Sequence, residues 1–395
     1  MNILVINAGS SSIKFQLIQM PLETVICYGM IERIGSDEAV LKYTSDAVQI
    51  EEIGTIATHR DGLKKIADLL LHPKKGVIQN SSEIDVVGHR VVHGGDSFSA
   101  TTFITEAVKK EIQEYAALAP LHNPHNLEGI LIAEQFFPEA KQIAVFDTAF
   151  FQTMPVKARK YAIPNALYED HGIQVYGFHG TSHKYVSEKA AAYLNKPAAK
   201  LITIHLGNGC SMTAIVNSKS IDHSLGFAPG NGLIMGSRSG DIDHALIFYL
   251  VNSLGYSLAA VNALLTKESG MLGLTGFSDL RDIQTEAENG NTHCQLALEM
   301  NAYRIKKYIG AYTAAMNGLD AIVFTAGIGE NSSVLRQLVC TDMDIFGITL
   351  DDAKNETRSS SPREINTDAS KVKILVIPTN EELEIAKQAF GVCGY

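Results

Sequence analysis

The sequence predicts an α/β fold made of two related halves, and three observations carry that prediction. Ile3-Leu4-Val5-Ile6 is an apolar strand that empties into Asn7-Ala8-Gly9-Ser10-Ser11-Ser12. A second strand follows, with Ile13, Phe15 and Leu17 alternating against Lys14 and Gln16. The same grammar returns half a chain later: Leu201-Ile202-Thr203-Ile204-His205-Leu206, then Gly207-Asn208-Gly209-Cys210-Ser211, then Met212 to Val216. Two more strands, Ala321 to Thr325 and Lys373 to Ile377, end in Gly, Asn and acidic residues, at 326–331 and 378–382. Strand ends of this kind build ligand crevices. None of the four matches the G-x-x-x-x-G-K-[ST] phosphate loop.

The bulk properties agree. A chain of 395 residues, 46% hydrophobic and 19% charged, fits two globular domains with large cores. A net charge of −10 argues against nucleic acid or an anionic membrane as partner, so an anionic substrate needs a local cluster of cations. Five scattered cysteines without C-x-x-C suit free thiols in a reducing compartment. Cys210, in the second Gly turn, is either a small filler or a reactive thiol. The first strand carries none of the marks of a signal peptide. No apolar run approaches the ~20 residues of a membrane span. The expectation is a cytoplasmic protein.

Along the chain, the first hairpin tip admits two readings. It is an ordinary Gly/Ser turn with a solvated Lys14, or a cradle of N–H groups and hydroxyls for a phosphate or hydrated metal. Residues 20–54 read as further strands. His59 to His72 is helical, with Leu63, Ile66, Ala67 and Leu70 at helix spacing and Pro73 beyond. Ile84 to Val87 begins a strand running into Gly88-His89-Arg90-Val91-Val92-His93-Gly94-Gly95. Arg90 in that apolar run needs a partner, either a protein carboxylate or a substrate carboxylate or phosphate.

Thr105 to Ala119 is a helix stopped by Pro120, and Leu121-His122-Asn123-Pro124-His125-Asn126 starts the next. His122 and His125 have no third ligand at a recognisable metal spacing and read as loop or substrate contacts. Strand 142–146 ends at Asp147, placed for catalysis, for a metal's water shell, or as a simple cap. Residues 148–175 look irregular and hold the expected domain boundary: 1–150, completed by about 380–395, and 151–379. In Tyr176-Gly177-Phe178-His179-Gly180-Thr181-Ser182-His183, Thr181 or Ser182 can cap a helix from Lys184 to Leu194. His179 then precedes a helix N-terminus, where anions are favoured.

Phe227 to Gly232 is a flexible loop. Arg238 follows among Ser237, Ser239 and Gly240, with aspartates at 241 and 243 as possible ion-pair partners. Helices are expected at 243–254, 256–267 and 292–317. Another opens at Gly276 with Ser278 as cap, and a short one is capped by Ser332 or Ser333. Residues 351–366 read as a polar surface loop before the last strand and helix 380–390.

Read together, Asn7 to Lys14, Gly88 to Gly95, Tyr176 to His183, His205 to Gly209 and Thr379-Asn380-Glu381-Glu382 resemble the acetate kinase family, from the first strand to the last helix. The resemblance implies two duplicated actin-like (ribonuclease H-like) ATPase domains flanking a nucleotide cleft, the C-terminal one carrying most of the nucleotide site. It implies a homodimer and reversible, magnesium-dependent transfer of a phosphoryl group from ATP to acetate, giving ADP and acetyl phosphate, with Mn2+ able to substitute for Mg2+. Such transfer is mostly alignment and charge neutralisation.

By the same resemblance, Arg90 holds the acetate carboxylate. Arg238 and His179 stabilise the phosphoryl group with His122 beside them, and Asp147 is an acid/base or electrostatic and metal-organising residue. Asn7 and Glu381 help hold the metal. Ser10, Ser12, Lys14 and His205-Leu206-Gly207-Asn208-Gly209 meet the phosphates. Asp279-Leu280-Arg281 and Gly327-Ile328-Gly329-Glu330-Asn331 meet adenosine. Val92, Leu121, Phe178 and Pro229 match the family's pocket for the acetate methyl. Valine at 92 leaves less room than the alanine of propionate-preferring relatives, although one methylene discriminates by only ~1–3 kcal/mol.

Two departures stand out: Gly230-Asn231 replaces a bulkier Leu-Glu type pair, and His244 stands where proline is usual. The rival readings are a propionate or butyrate kinase and a non-catalytic ATP-binding regulator.

Overall fold

The computed structural model describes residues 1–120 and 122–394. They divide into two units, Met1–Gln152 with Asn380–Tyr395, and Thr153–Thr379.

The first unit runs β1 (Asn2–Ala8), β2 (Ser12–Gln19), β3 (Thr24–Glu32), β4 (Ser36–Ser45), β5 (Gln49–Ile56), α1 (His59–Leu70), β6 (Val86–Val91), β7 (Thr102–Phe103), α2 (Glu106–Glu114), α3 (Asn123–Phe136) and β8 (Lys141–Phe146). The second unit opens with two short helices, α4 (Val156–Arg159) and α5 (Asn165–Glu169), where the sequence looks irregular. It continues with α6 (Gly180–Tyr193), β9 (Lys200–Leu206), β10 (Cys210–Val216), β11 (Lys219–His223), α7 (Ala245–Asn252), α8 (Leu258–Lys267), α9 (Gly270–Thr275), α10 (Leu280–Glu288) and α11 (Thr292–Met316). It closes with β12 (Ala321–Thr325), α12 (Ala326–Asn331), α13 (Ser333–Cys340), α14 (Asp352–Glu356), β13 (Arg363–Glu364) and β14 (Lys373–Val376). The last helix, α15 (Glu381–Val392), belongs to the first unit.

The two sheets share one topology. Strands run β5-β4-β3-β2-β1-β6-β8-β7 in the first and β11-β10-β9-β12-β14-β13 in the second. In each, an antiparallel hairpin (β1–β2, β9–β10) is followed by two parallel neighbours (β6 and β8, β12 and β14) and an antiparallel edge strand. The parallel strands are buried on both faces, which is why β12 reads as an unbroken apolar run. β2 alternates because only one of its faces reaches the core of Leu4, Ile6, Phe15, Leu17, Ile31 and Leu63.

α15 packs on β1, β6 and β8. A side chain at Gly88 of β6 would place its Cβ 3.0 Å from Ile385 Cγ2, so glycine there permits the close helix–sheet approach. That contact fixes the start of α15, with Glu381 and Glu382 in its first turn, relative to β1 and β6.

Candidate active site

The first unit gathers the sequence-predicted residues Asn7, Arg90, Asp147 and Glu381 at one end of its sheet. Asn7 lies near the end of β1 and pairs in register with Lys14 on β2, while Gly9 N–H donates to Ser12 O at 2.8 Å and closes the turn. Ser10 and Lys14 are exposed there. Arg90 pairs with a protein carboxylate, one of the two partners expected for it. Nη2 and Nε donate to the same oxygen of buried Asp147, Oδ2, at 2.6 and 3.1 Å. Nη1 makes only a long bond to Asn7 Oδ1, at 3.3 Å. Burial works against the Arg90 charge, but Asp147 and then Glu381 outweigh it and hold the guanidinium protonated. Glu382 is pushed up by burial and then by Glu381, with Lys14 and Arg90 opposing, so negative charge is concentrated at this end of the sheet.

The loop after β6 is set by two amides that sequence reasoning passed over. Asn126 accepts from Val92 N–H at 3.0 Å and donates to Ala8 O at 2.7 Å. Asn123 accepts from His93 N–H and donates back to His93 O. Both amides are buried, and both stand on α3, whose N-cap is His122. Their only signal in the sequence is polar residues three apart at a helix start. Val92 is buried beside them; Leu121 lies outside the described residues.

In the second unit His179 is itself the N-cap of α6, in the left-handed conformation at φ 58°, and the helix starts at Gly180. Thr181 and Ser182 therefore lie inside the first turn rather than capping it. Strain at a non-glycine residue of this kind is held by its surroundings. His179 Nδ1 hydrogen-bonds Ser211 Oγ at 2.8 Å, and its ring stacks on His205 at 4.4 Å. Ser211 Oγ also meets His183 Nε2 at 2.7 Å, and His183 Nδ1 meets Thr203. Phe178 N–H donates to His223 Nε2, so that ring carries its proton on Nδ1, toward Thr213. Burial first pushes His183 well down and His223 down to about 3. The sequence offered His179 and His205 as site residues; His183 and His223 are the buried neutral rings that hold them.

A Cβ at Gly209 would lie 3.5 Å from His179 Nε2 and 3.9 Å from Arg238 Nη1, so the second hairpin tip, His179 and Arg238 converge. Arg238 donates to Pro229 O at 2.9 Å, and no carboxylate among the described residues pairs with it. Burial lowers its pKa, a cation kept dry. Cys210 is buried, bonded to Gly207 O and pushed up to about 12 by burial, so it is the filler and not a reactive thiol.

Beside this turn opens a cavity of about 740 Å³. Of the sequence-predicted nucleotide residues, Gly207, Asn208, Asp279, Leu280, Arg281, Gly327, Ile328 and Asn331 line it. Ser278, Gln284, Ser332 and Arg358 complete it; in the sequence Ser278 and Ser332 read only as caps, Arg358 as part of a polar surface loop, and Gln284 carries no signal. Asp279, not Ser278, caps α10, accepting from Arg281 N–H at 2.9 Å. The Arg281 side chain also grips it, and this bond first pulls the Asp279 carboxyl down to about 2.

The expected Gly turn at 327–331 is the short helix α12, entered through Ala326 at φ 64°. Gly329 is buried, and Glu330 turns to Thr379 N–H at 3.1 Å instead of lining the cavity. Buried Arg336 holds this segment through Gly329 O and Glu330 O.

A duplicated hairpin-plus-parallel sheet, with a nucleotide-sized cavity and paired cationic and imidazole groups at a hairpin tip, defines a phosphotransferase of the actin-like ATPase class. The model of the acetokinase family matches residues 2–387. Acetate kinase of Flavobacterium johnsoniae is 63% identical over 390 residues, 99% of each chain. The crystal structure of Porphyromonas gingivalis acetate kinase superposes with a TM-score of 0.93 at 43% identity, covering 99% of both chains. A propionate kinase from Francisella tularensis does so with 0.93 at 42% identity, again over 99% of both. The chain belongs to the acetokinase family.

Proposed function

We propose that this protein is an acetate kinase: it transfers the terminal phosphoryl group of ATP to acetate, reversibly, giving acetyl phosphate and ADP. The observation that carries the reading is in the second unit. The Gly207–Gly209 turn lines a nucleotide-sized cavity on one side and meets His179 and Arg238 on the other. Such a turn suits a triphosphate whose terminal group reaches a desolvated cation and an imidazole. In the transfer, one carboxylate oxygen forms a bond to the terminal phosphorus as the bond to the bridging oxygen breaks. No proton is taken up or released, so no general base is required. Arg238 and His179 stabilise the phosphoryl group in flight, and His122 joins them.

Arg90 holds the acetate carboxylate through the part of its guanidinium that Asp147 leaves, Nη1. Asp147 orients that fork. Ser10, Ser12, Lys14 and His205–Gly209 serve the phosphates, and Asp279–Arg281 with Gly327–Asn331 serve adenosine. Val92, Leu121, Phe178 and Pro229 are the residues we assign to the methyl group.

Asn7 and Glu381 would hold Mg2+, or Mn2+ in its place. The fit rests on the donor set, an amide oxygen and a carboxylate, and on Glu381 and Glu382 standing together in the first turn of α15. When bound, the ion supplies neutralisation of phosphate charge.

The propionate kinase relative favours a second reading, since its fold matches equally well; valine at 92 supports acetate. A homodimer is supported by α7, which is apolar yet buries none of its residues in its own chain, leaving Phe248, Tyr249 and, nearby, Leu258 exposed. No helix of the described residues is long and apolar enough to cross a membrane; we place the protein in the cytoplasm. The test is acyl-phosphate formation trapped with hydroxylamine. Product that requires ATP, Mg2+ and acetate supports the reading, and ATP binding without product overturns it in favour of a regulator.

A further inference from the structure

Spacing along the chain gives His122 and His125 no third ligand at a recognisable metal spacing, but the fold brings His125 two other ligands. On α3, His125 and Glu128 stand three residues apart on one face, and His59 enters from the first turn of α1. One ligand atom from each lies within 4.8 Å of the others. We infer that His59, His125 and Glu128 form a zinc site, distinct from the magnesium position proposed above.

The hydrogen bonds assign the lone pairs. His59 Nε2 lies 2.7 Å from Gly9 O, a carbonyl that can only accept. The proton of neutral His59 is therefore on Nε2, and Nδ1 presents a lone pair toward Glu128 Oε2 at 3.8 Å. His125 Nδ1 lies 3.8 Å from the same oxygen, is closed to solvent, and has no hydrogen-bond partner. Two imidazole nitrogens thus converge on one carboxylate.

Two histidines and a glutamate, with water in the fourth position, make a tetrahedral zinc set, and zinc-bound ligand atoms sit about 3.3 Å apart for bonds of ~2.0–2.1 Å. The present separations need only a small contraction. The two rings stack at 23°, so His125, the more exposed of the pair, must turn to bring the metal into its plane. The His59–Gly9 bond is the outer hydrogen bond that metal-bound histidines make to a carbonyl, fixing tautomer and ring. Through it, zinc would tie the tip of the first hairpin to α1 and α3.

The experiment uses the full-length protein, stripped with chelator and titrated with Zn2+ in excess Mg2+, then with Co2+ as a spectroscopic probe. The expected result is one tight Zn2+ equivalent per chain and the intense visible bands of tetrahedral Co2+. In His125→Ala and Glu128→Gln, with folding checked by circular dichroism, affinity should fall at least ~100-fold and the bands should vanish. No binding by the wild type, or wild-type affinity in both folded variants, would overturn the site and leave the three side chains as an ion-paired cluster.

Discussion

At the residue scale, Arg90 in the first unit and Arg238 in the second, both proposed above to serve the transfer, are held in opposite ways. Arg90 is paired: Asp147 takes Nε and Nη2 and leaves Nη1 for another acceptor. Among the described residues Arg238 has only the Pro229 carbonyl and the Met235 sulfur, so its charge is kept for the ligand. The two should therefore fail differently. Arg238→Ala should cut kcat by about 10²–10³, the usual loss of a transition-state donor, with little change in KM for ATP. Arg90→Ala should raise KM for acetate as well as lower kcat, and it leaves Asp147 buried without its cation, so the variant should also lose stability. Steady-state kinetics with each substrate varied separately distinguishes the two.

At the scale of elements, the strand ends were legible and the partners were not. Asn7–Ser12, Gly207–Ser211 and the ends of β12 and β14 announce themselves by small polar residues after apolar runs, and each is where the chain turns at a candidate site. What pairs across long sequence separations leaves no local trace: Arg90 with Asp147, His179 with Ser211, Asn126 with Val92 and Ala8. Caps were misjudged where a neighbour competed, as when Asp279 took α10 from Ser278 and His179 took α6 from Thr181 by adopting a left-handed backbone. Gly327–Asn331 looked like a turn because two glycines mask a helix that Arg336 holds from below. The Asn126 staple gives a direct check. Asn126→Ala strands a buried N–H and a buried carbonyl, so urea denaturation should show a loss of about 2–4 kcal/mol with an unchanged m value.

At the scale of the whole molecule, each unit repeats one sheet plan, and each buries neutral histidines that make stability depend on pH. His89 and His93 in the first unit are pushed down to about 4, and His223 in the second to about 3, burial being the first cause in every case. With folded values below the ordinary 6.5, these groups leave stability intact at neutral pH. As pH falls from about 6.5 toward 4 the unfolded chain takes up protons that the folded chain refuses. Each group should then cost on the order of 1.4 kcal/mol per pH unit, and Tm should drop steeply over that window. If the proposed homodimer forms through the exposed apolar face of α7, Phe248→Glu should yield a monomer in analytical ultracentrifugation where the wild type sediments as a dimer. The central claim, a phosphotransferase whose acceptor pocket is cut for acetate, is tested most directly by kcat/KM for acetate, propionate and butyrate under identical ATP and Mg2+. Acetate should exceed propionate by about 10-fold or more, the share one methylene can command against Val92. Propionate equal to or above acetate would contradict it.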